Sequence, residues 1–368
     1  MSNLFLADPH PFDRANDIPH DVVLSWEPIE FAQTYDVYIG TDYDAVNDAT
    51  TTDASYMGRQ EANSFDLGRL DFGKKYYWRV DEVNGAPDFS VAKGGVWRFT
   101  TEVFSYPIAN VTVGASGTFG ASVPEHTIDG SGLEVDLHGV SPADMWISTS
   151  VQATIEYTFD RAYKLHELWV WNSNQLIESF LGFGAKDLVI KHSLDGENWT
   201  VLDGVGPLVR APGSEDYAHN NTIDLGGATA QHVRLTIDTV QEVAAQASLS
   251  EVRFFAIPVY ARNPQPAVGS TTHSTDVVLN WHPGRVAASH DVLFSENVEA
   301  IEDDSALVVN TTDSWLDLSA LDLTPSTTYY WQVDEVNDIA DPPVYQDSVW
   351  HFTTPETLSA GENSKEMP

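Results

Sequence analysis

One block of sequence occurs twice in this chain, and that constrains the fold more than anything else in it. DVVLSWEPIEFAQTYDVYIG, residues 21–40, returns as DVVLNWHPGRVAASHDVLFS at residues 276–295. YYWRVDEVN at residues 76–84 returns as YYWQVDEVN at 329–337, and VWRFTT from Val96 returns as VWHFTT from Val349. Blocks in the same order at nearly the same spacing define two copies of one folding unit, one near each end of the chain. A stretch with no counterpart lies between them. At 368 residues the chain is long enough to bury the separate cores this implies.

Within each copy, short runs of β-branched and aromatic residues alternate with polar ones, and Gly, Pro, Asn and Asp clusters separate the runs. Few runs carry a helical period. The expectation is an antiparallel β sandwich of about 90 residues per copy. Leu24-Ser25-Trp26 on an early strand, YYWRV on a late one and a closing VWRFTT resemble a bacterial fibronectin type III domain. Leu279-Asn280-Trp281, YYWQV and VWHFTT stand in the same places of the second copy. The resemblance implies that Trp26 and Trp281 fill the cores and that Tyr76 and Tyr329 each close a corner.

The repeated Asp-Glu-Val-Asn puts two carboxylates side by side, Asp81 with Glu82 and Asp334 with Glu335. Adjacent strand residues point to opposite faces, so they do not converge on one substrate atom as an acid–base pair must. A scaffold role follows, with hydrogen bonds to a neighbouring loop, because a buried charge has to be paired. A calcium site at a domain junction is the alternative.

The unrepeated middle, residues 103–258, also reads as strands: IEYTF, HELWVW, KDLVIKHS, HVRLTI and LSEVRFF all alternate. Its fragments, in order, are Ala115-Ser116, Thr127-Ile128-Asp129-Gly130, Met145-Trp146, the run from Ile155 to Asp160, Ser193-Leu194-Asp195-Gly196 followed by Trp199, His232-Val233-Arg234-Leu235, and Leu249-Ser250-Glu251-Val252-Arg253-Phe254. Together they resemble a discoidin domain, also called coagulation-factor five/eight type C. The expected architecture is therefore all-β, three β-sandwich domains: fibronectin type III-like over 1–102, a discoidin-like jelly roll over 103–258, fibronectin type III-like over 259–356, and a disordered tail at 357–368. The ensemble is similar to modular surface or secreted proteins of planctomycete-type bacteria.

The discoidin resemblance implies loops at one end of the jelly roll that bind a ligand, usually a sugar in the bacterial branch, where the domain acts as a carbohydrate-binding module. It also implies a structural calcium between the Asp-Gly loop and the Glu of the last strand. Carried over, that places Asp129 and Glu251 as ligands, hard oxygen donors of the kind calcium takes, with backbone carbonyls completing the shell. The segment 131–144 is longer than the family pattern, and Asp136 or Asp144 is positioned to add a carboxylate. The alternative for these residues is a solvated acidic loop and an Arg-paired Glu.

A sugar site needs an aromatic face for pyranose C–H groups and amide, His or Arg groups for hydroxyls, all on exposed loops. Two segments offer that mixture: Trp171, Asn172 and Asn174 running on to Phe180 and Phe183, and Tyr217-Ala218-His219-Asn220-Asn221. His138 lies on the lengthened loop beside the expected metal. HELWVW leaves the parity of Trp171 open between core and ligand, since a strand can place either parity inward. Core packing is the alternative for the two Phe residues, and turn chemistry for Asn172, Asn174 and His219.

Composition then narrows the function. Cysteine is absent, which excludes disulfides, thiolate metal sites and thiol catalysis. With 18 Lys+Arg against 55 Asp+Glu, the formal charge of −37 repels nucleic acid and anionic membrane surfaces and suits a salty or calcium-rich exterior. No apolar run is long enough to span a bilayer, and the opening MSNLFLADPHPF lacks the basic and apolar regions of a secretory signal. A secreted or cell-surface location is nonetheless expected from the resemblances. No GxSxG elbow, HExxH helix, phosphate-cradling loop or dinucleotide fingerprint is present. The expected function is non-catalytic: a carbohydrate-binding and adhesion protein whose partner is a polysaccharide or other glycan, with further domains or self-assembly as second partners. A structural protein of a surface layer or fibre is the first alternative, and a polysaccharide hydrolase the second.

Overall fold

The computed structural model of the chain describes residues 7–27, 32–87, 89–303, 305–337 and 342–356. The tail expected to be disordered, 357–368, lies outside them. Among the described residues the regular structure is mostly strand, with three α-helices of four or five residues. The chain divides into two compact units, 1–104 and 105–368. The first break falls two residues beyond the expected 102. Among the described residues the second unit holds three hydrophobic clusters: a large one from residues 108–256, a small one around Trp171, and one from residues 261–352.

In the first unit a three-stranded sheet (Ala7–His10, Val23–Glu27, Ser64–Asp66) faces a six-stranded one. The larger sheet orders Ala15–Ile18, Trp97–Thr101, Lys75–Asn84, Ala32–Gly40 and Tyr56–Gln60, with Val91–Ala92 beside Lys75–Asn84. Alternation puts Leu24, Trp26, Val37, Trp78, Val80 and Phe99 between the sheets, all buried. The C-terminal copy repeats this order strand for strand, down to the parallel pairing of its short edge strand, Ser270–Thr271, with Trp350–Thr353. Trp26, Tyr76, Trp281 and Tyr329 are all buried. Both tyrosines close a corner in the same way: the Tyr76 hydroxyl accepts from the Asp71 N–H at 3.1 Å, and that of Tyr329 from the Thr324 N–H at 2.8 Å.

The repeated acid pair is buried in both copies and ties down loops. Asp81 accepts from the Gly94 N–H at 3.0 Å and pairs with Arg79 at 2.8 Å. Glu335 accepts from the Gly284 N–H at 2.7 Å and bonds His290, which stands where the first copy has Tyr35.

The middle of the chain is organised by one strand, Ala153–Asn172, which bends between two sheet faces. Residues 155–159 pair with Val111–Ala115 and residues 153–158 with Thr229–Ile237, and Leu188–Ser193 adds outside the latter. Residues 164–172 pair with Ser248–Ile257 and Asn221–Asp224. Because the strand folds over, its two ends meet the same loops. Ala153 pairs with Ile237, Asn172 donates to the Ala185 carbonyl at 2.8 Å, and Ala185 bridges Val240. Between the two faces lie Ile155, Tyr157, Phe159, Leu168, Val170, Val233, Leu235, Val252 and Phe254. A further three-stranded sheet (Leu133–Glu134, Leu137–His138, Tyr217–Ala218) covers part of the outside. Its hairpin turns on Val135 and Asp136, both at positive φ, as a two-residue hairpin with the right twist requires.

Within the second unit, Arg161 makes one of the links between its two larger hydrophobic clusters. Arg161 lies over the Tyr260 ring at 3.8 Å and donates to Asp347 at 3.2 Å, while the Tyr260 hydroxyl donates to the Ala162 carbonyl. Tyr260 also packs edge-on against Tyr345.

Candidate functional site

The end of the central sandwich where Asn172, Ala185 and Val240 meet carries the loops 173–187, 203–216 and 238–247. The first of these contains a short helix, Glu178–Leu181. Glu178 is buried, and its carboxylate accepts from the N–H groups of Phe183 (3.1 Å) and Gly184 (2.8 Å), which closes the segment into a fixed turn. Burial raises the pKa of that carboxyl. Gly182 ends the helix at φ 62°, and a Cβ there would stand 2.5 Å from the Glu242 nitrogen, so the close approach of the two loops requires glycine.

The outer side of this turn is apolar. Phe180 is 78% exposed, and Leu176, Ile177 and Leu181 are exposed beside it. Exposed Val243 joins them, its N–H donating to the Leu181 carbonyl at 3.1 Å. Polar groups sit at the margin: Arg210 donates to the Ser179 carbonyl and pairs with Glu242. An aromatic ring held out on a braced turn, next to a guanidinium and a carboxylate, is the mixture that presents one face to sugar C–H groups and polar edges to hydroxyls.

Several residues expected to contact a sugar are instead framework beneath this loop end, and these are corrections. Trp171 is 0% exposed: in HELWVW, Leu168 and Val170 enter the main core, while Trp171 faces outward and is covered by the accessory sheet against Tyr217 and Ala211. Asn172 spends its amide on the Ala185 and Val209 carbonyls and its oxygen on the Ser173 N–H. Asn174 donates to the His138, Gly139 and Ser214 carbonyls and accepts from the N–H groups of Gly213 and Ser214. Both amides are fully buried cross-links. The buried Tyr217 hydroxyl accepts from the Asn172 N–H and donates to Asn220 at 2.6 Å. His138 is buried, and its Nδ1 faces the Gly139 carbonyl at 2.7 Å, so that nitrogen carries the proton. Phe183 is half-buried and packs on the main core. His219 is half-exposed and stacks on Trp169 at 4.0 Å rather than on Trp171. Among these aromatics, only Phe180 projects freely. Arg210, Glu242 and Val243 carry no motif and were not legible as site residues.

The expected metal ligands separate into two groups. Glu251 is 4% exposed, and its Oε2 has no hydrogen-bond partner. Burial pushes its carboxyl up to about 8, against the pull of the Gly130 N–H and Arg253, and the charge of nearby Asp129 adds to the rise. Asp129 is exposed, with Oδ1 accepting from the Ser131 N–H. A buried carboxylate with a bare oxygen beside a second acid fits a cation, which would satisfy both at once. Asp136 leaves the set as a correction: its Oδ1 pairs with Arg253 at 2.8 Å on the accessory hairpin. Among the described residues no three His, Asp or Glu side chains form a metal cluster, so backbone carbonyls would have to supply most of a calcium shell. Among the described residues, no helix is long and apolar enough to cross a membrane.

No family model and no curated protein matches the chain. Among solved structures it is similar to the CBM32-3 module of a family 31 glycoside hydrolase from Clostridium perfringens, at 21% identity over 42% of this chain and 95% of that one, with a TM-score of 0.32. It is similar also to the family 32 module of Clostridium perfringens NanJ in complex with galactose (14% identity, 41% and 98% covered, TM-score 0.31). A third is the family 32 carbohydrate-binding module of Streptococcus pneumoniae EndoD (16% identity, 41% and 99% covered, TM-score 0.30).

Proposed function

We propose that the central sandwich is a glycan-binding module that works through the loop end around Phe180, and that the chain serves attachment to polysaccharide in a secreted or cell-surface assembly without catalysis of its own. The observation that carries the reading is Phe180, 78% exposed on a turn braced by the buried Glu178. An exposed phenylalanine costs solubility and contributes nothing to the core, so its rigid presentation points to a ligand. The order of sequence fragments between Ala115 and Phe254 supports the same reading, as does the Arg210–Glu242 pair beside the ring.

Calcium is proposed as the structural ion of this domain, held by Glu251 and Asp129 with backbone carbonyls. Its role is to satisfy the bare Glu251 oxygen and fix the 129–131 turn. It takes no part in sugar chemistry.

Glycan-array binding by the whole chain tests the function. Retention of defined sugars without turnover supports it. Concentration-dependent polymerisation without sugar binding would favour the surface-layer alternative, and release of reducing ends from a polysaccharide would favour the hydrolase.

A further inference from the structure

The loop end is not the only surface of the central sandwich shaped to hold a ligand. The outward face of the sheet made by Val111–Ala115, the first part of Ala153–Asn172, Thr229–Ile237 and Leu188–Ser193 forms a shallow groove of about 660 Å³. That is within the range of small-ligand sites. Register shows how it is built. With Val113, Ile155, Val233 and Leu235 turned to the core, the alternate residues face out in rungs across the strands. One rung is Thr112, Thr158 and His232; the next is Gly114, Glu156, Arg234 and Lys191. Gly114 has no neighbour within 4 Å of where a Cβ would stand, so the groove is open at that rung. Thr154, Thr236 and Ser116 add hydroxyls on the other side.

The second rung is unfavourable as a structural element. Lys191 lies directly opposite Arg234, and like charges facing across two strands destabilise a sheet. Only 18 of the 368 residues are Lys or Arg in a chain of charge −37, yet two of them share one rung. The Cζ of Arg234 lies over the Trp199 ring at 3.8 Å from its centroid, and its Nε and Nη2 both contact Oε2 of Glu156, at 2.8 and 2.7 Å. Among the described residues neither Arg234 Nη1 nor Lys191 Nζ has an acceptor. The rung therefore carries one uncompensated positive charge, beside a guanidinium whose planar fork is matched to a carboxylate.

We propose that this groove is a second glycan-binding surface, which takes a carboxylate-bearing sugar chain by seating one uronate carboxylate between Lys191 and Arg234. The threonine hydroxyls and Glu156 then meet the hydroxyls of the chain. A carboxylate at this position restores alternating charge along the rung and removes the Lys–Arg opposition. The surface extends the glycan reading of the domain but stands on different residues from the loop end.

Affinity electrophoresis of the whole chain in gels containing polygalacturonate tests it, with fully methyl-esterified polygalacturonate and dextran sulfate in parallel gels. The expected result is retardation by polygalacturonate that falls as salt rises, is lost on esterification, and is weakened roughly tenfold in Lys191→Gln, the loss of one charged hydrogen bond. Lys191→Glu abolishes it. Lys191 is a partly exposed side chain without a protein partner, so unchanged melting of both variants is the folding control. Phe180→Ala leaves this retardation intact, which separates failure here from failure at the loop end. Equal binding of the methyl ester, unchanged binding by Lys191→Gln, or a preference for dextran sulfate would overturn the proposal.

Discussion

The indole N–H of Trp171 donates to the backbone carbonyl of Asp136 at 3.1 Å, and this bond closes the accessory hairpin over the outer face of the long central strand. Trp171 is thus the core of a second, small layer rather than a sugar platform.

Trp171→Ala should therefore behave as a core truncation. A loss of about 3–5 kcal/mol is expected from urea unfolding, and Trp171→Phe, which keeps one aromatic ring but loses the donor and part of the volume, should lose less. Wild-type stability in the Ala variant would show that the accessory sheet is not held by this residue.

The sign of the pH dependence follows from Asp347. Its side chain is 4% exposed, and burial pushes the carboxyl up to about 6, with Arg161 opposing. Its ordinary value is 3.8, so between about 4 and 6 the folded state binds more protons than the unfolded state. Asp347 should therefore make the unit 105–368 lose on the order of 3 kcal/mol at most as pH rises through that window, and Glu251, whose carboxyl is pushed up from 4.5 to about 8, should carry the fall on toward pH 8. Asp347→Asn should make the fall shallower between pH 4 and 6 in thermal melts, leaving the part that Glu251 contributes. An unchanged slope in that variant would assign the dependence elsewhere.

Calcium should raise the melting temperature of the central sandwich, and chelation should lower it, because a ligand that binds only the folded state stabilises it by mass action. Glu251→Gln removes the charged oxygen and should abolish the calcium response while leaving the calcium-free protein folded, since the bare carboxylate is already costly there. A calcium response retained in Glu251→Gln would remove this residue, and Asp129 with it, from the metal site.

The two repeats and the strands of the central domain were legible because alternation records which face of a sheet is buried. The parity of HELWVW was not, because both parities are buried at Trp171: one face by the main core, the other by residues 133–138 and 217–218, far away in sequence. Asn172 and Asn174 looked like loop ligands by composition. Their acceptors are the carbonyls of residues 138, 139, 185, 209 and 214, which no local pattern brings near. Likewise the opposition of Lys191 and Arg234 exists only in the register of two strands separated by about 40 residues of sequence. Phe180 was visible as a loop aromatic, but its exposure depends on Glu178 folding inward to close the turn.

The proposed glycan binding at the loop end rests on Phe180, and titration calorimetry of the whole chain, wild type against Phe180→Ala, measures that dependence. The ligands to titrate are the sugars that the whole chain retains on the glycan array. The predicted result is saturable binding by wild type that falls by roughly tenfold or more in Phe180→Ala, the loss of one aromatic stacking surface, with an unchanged melting temperature. Binding of equal strength in both proteins would contradict it.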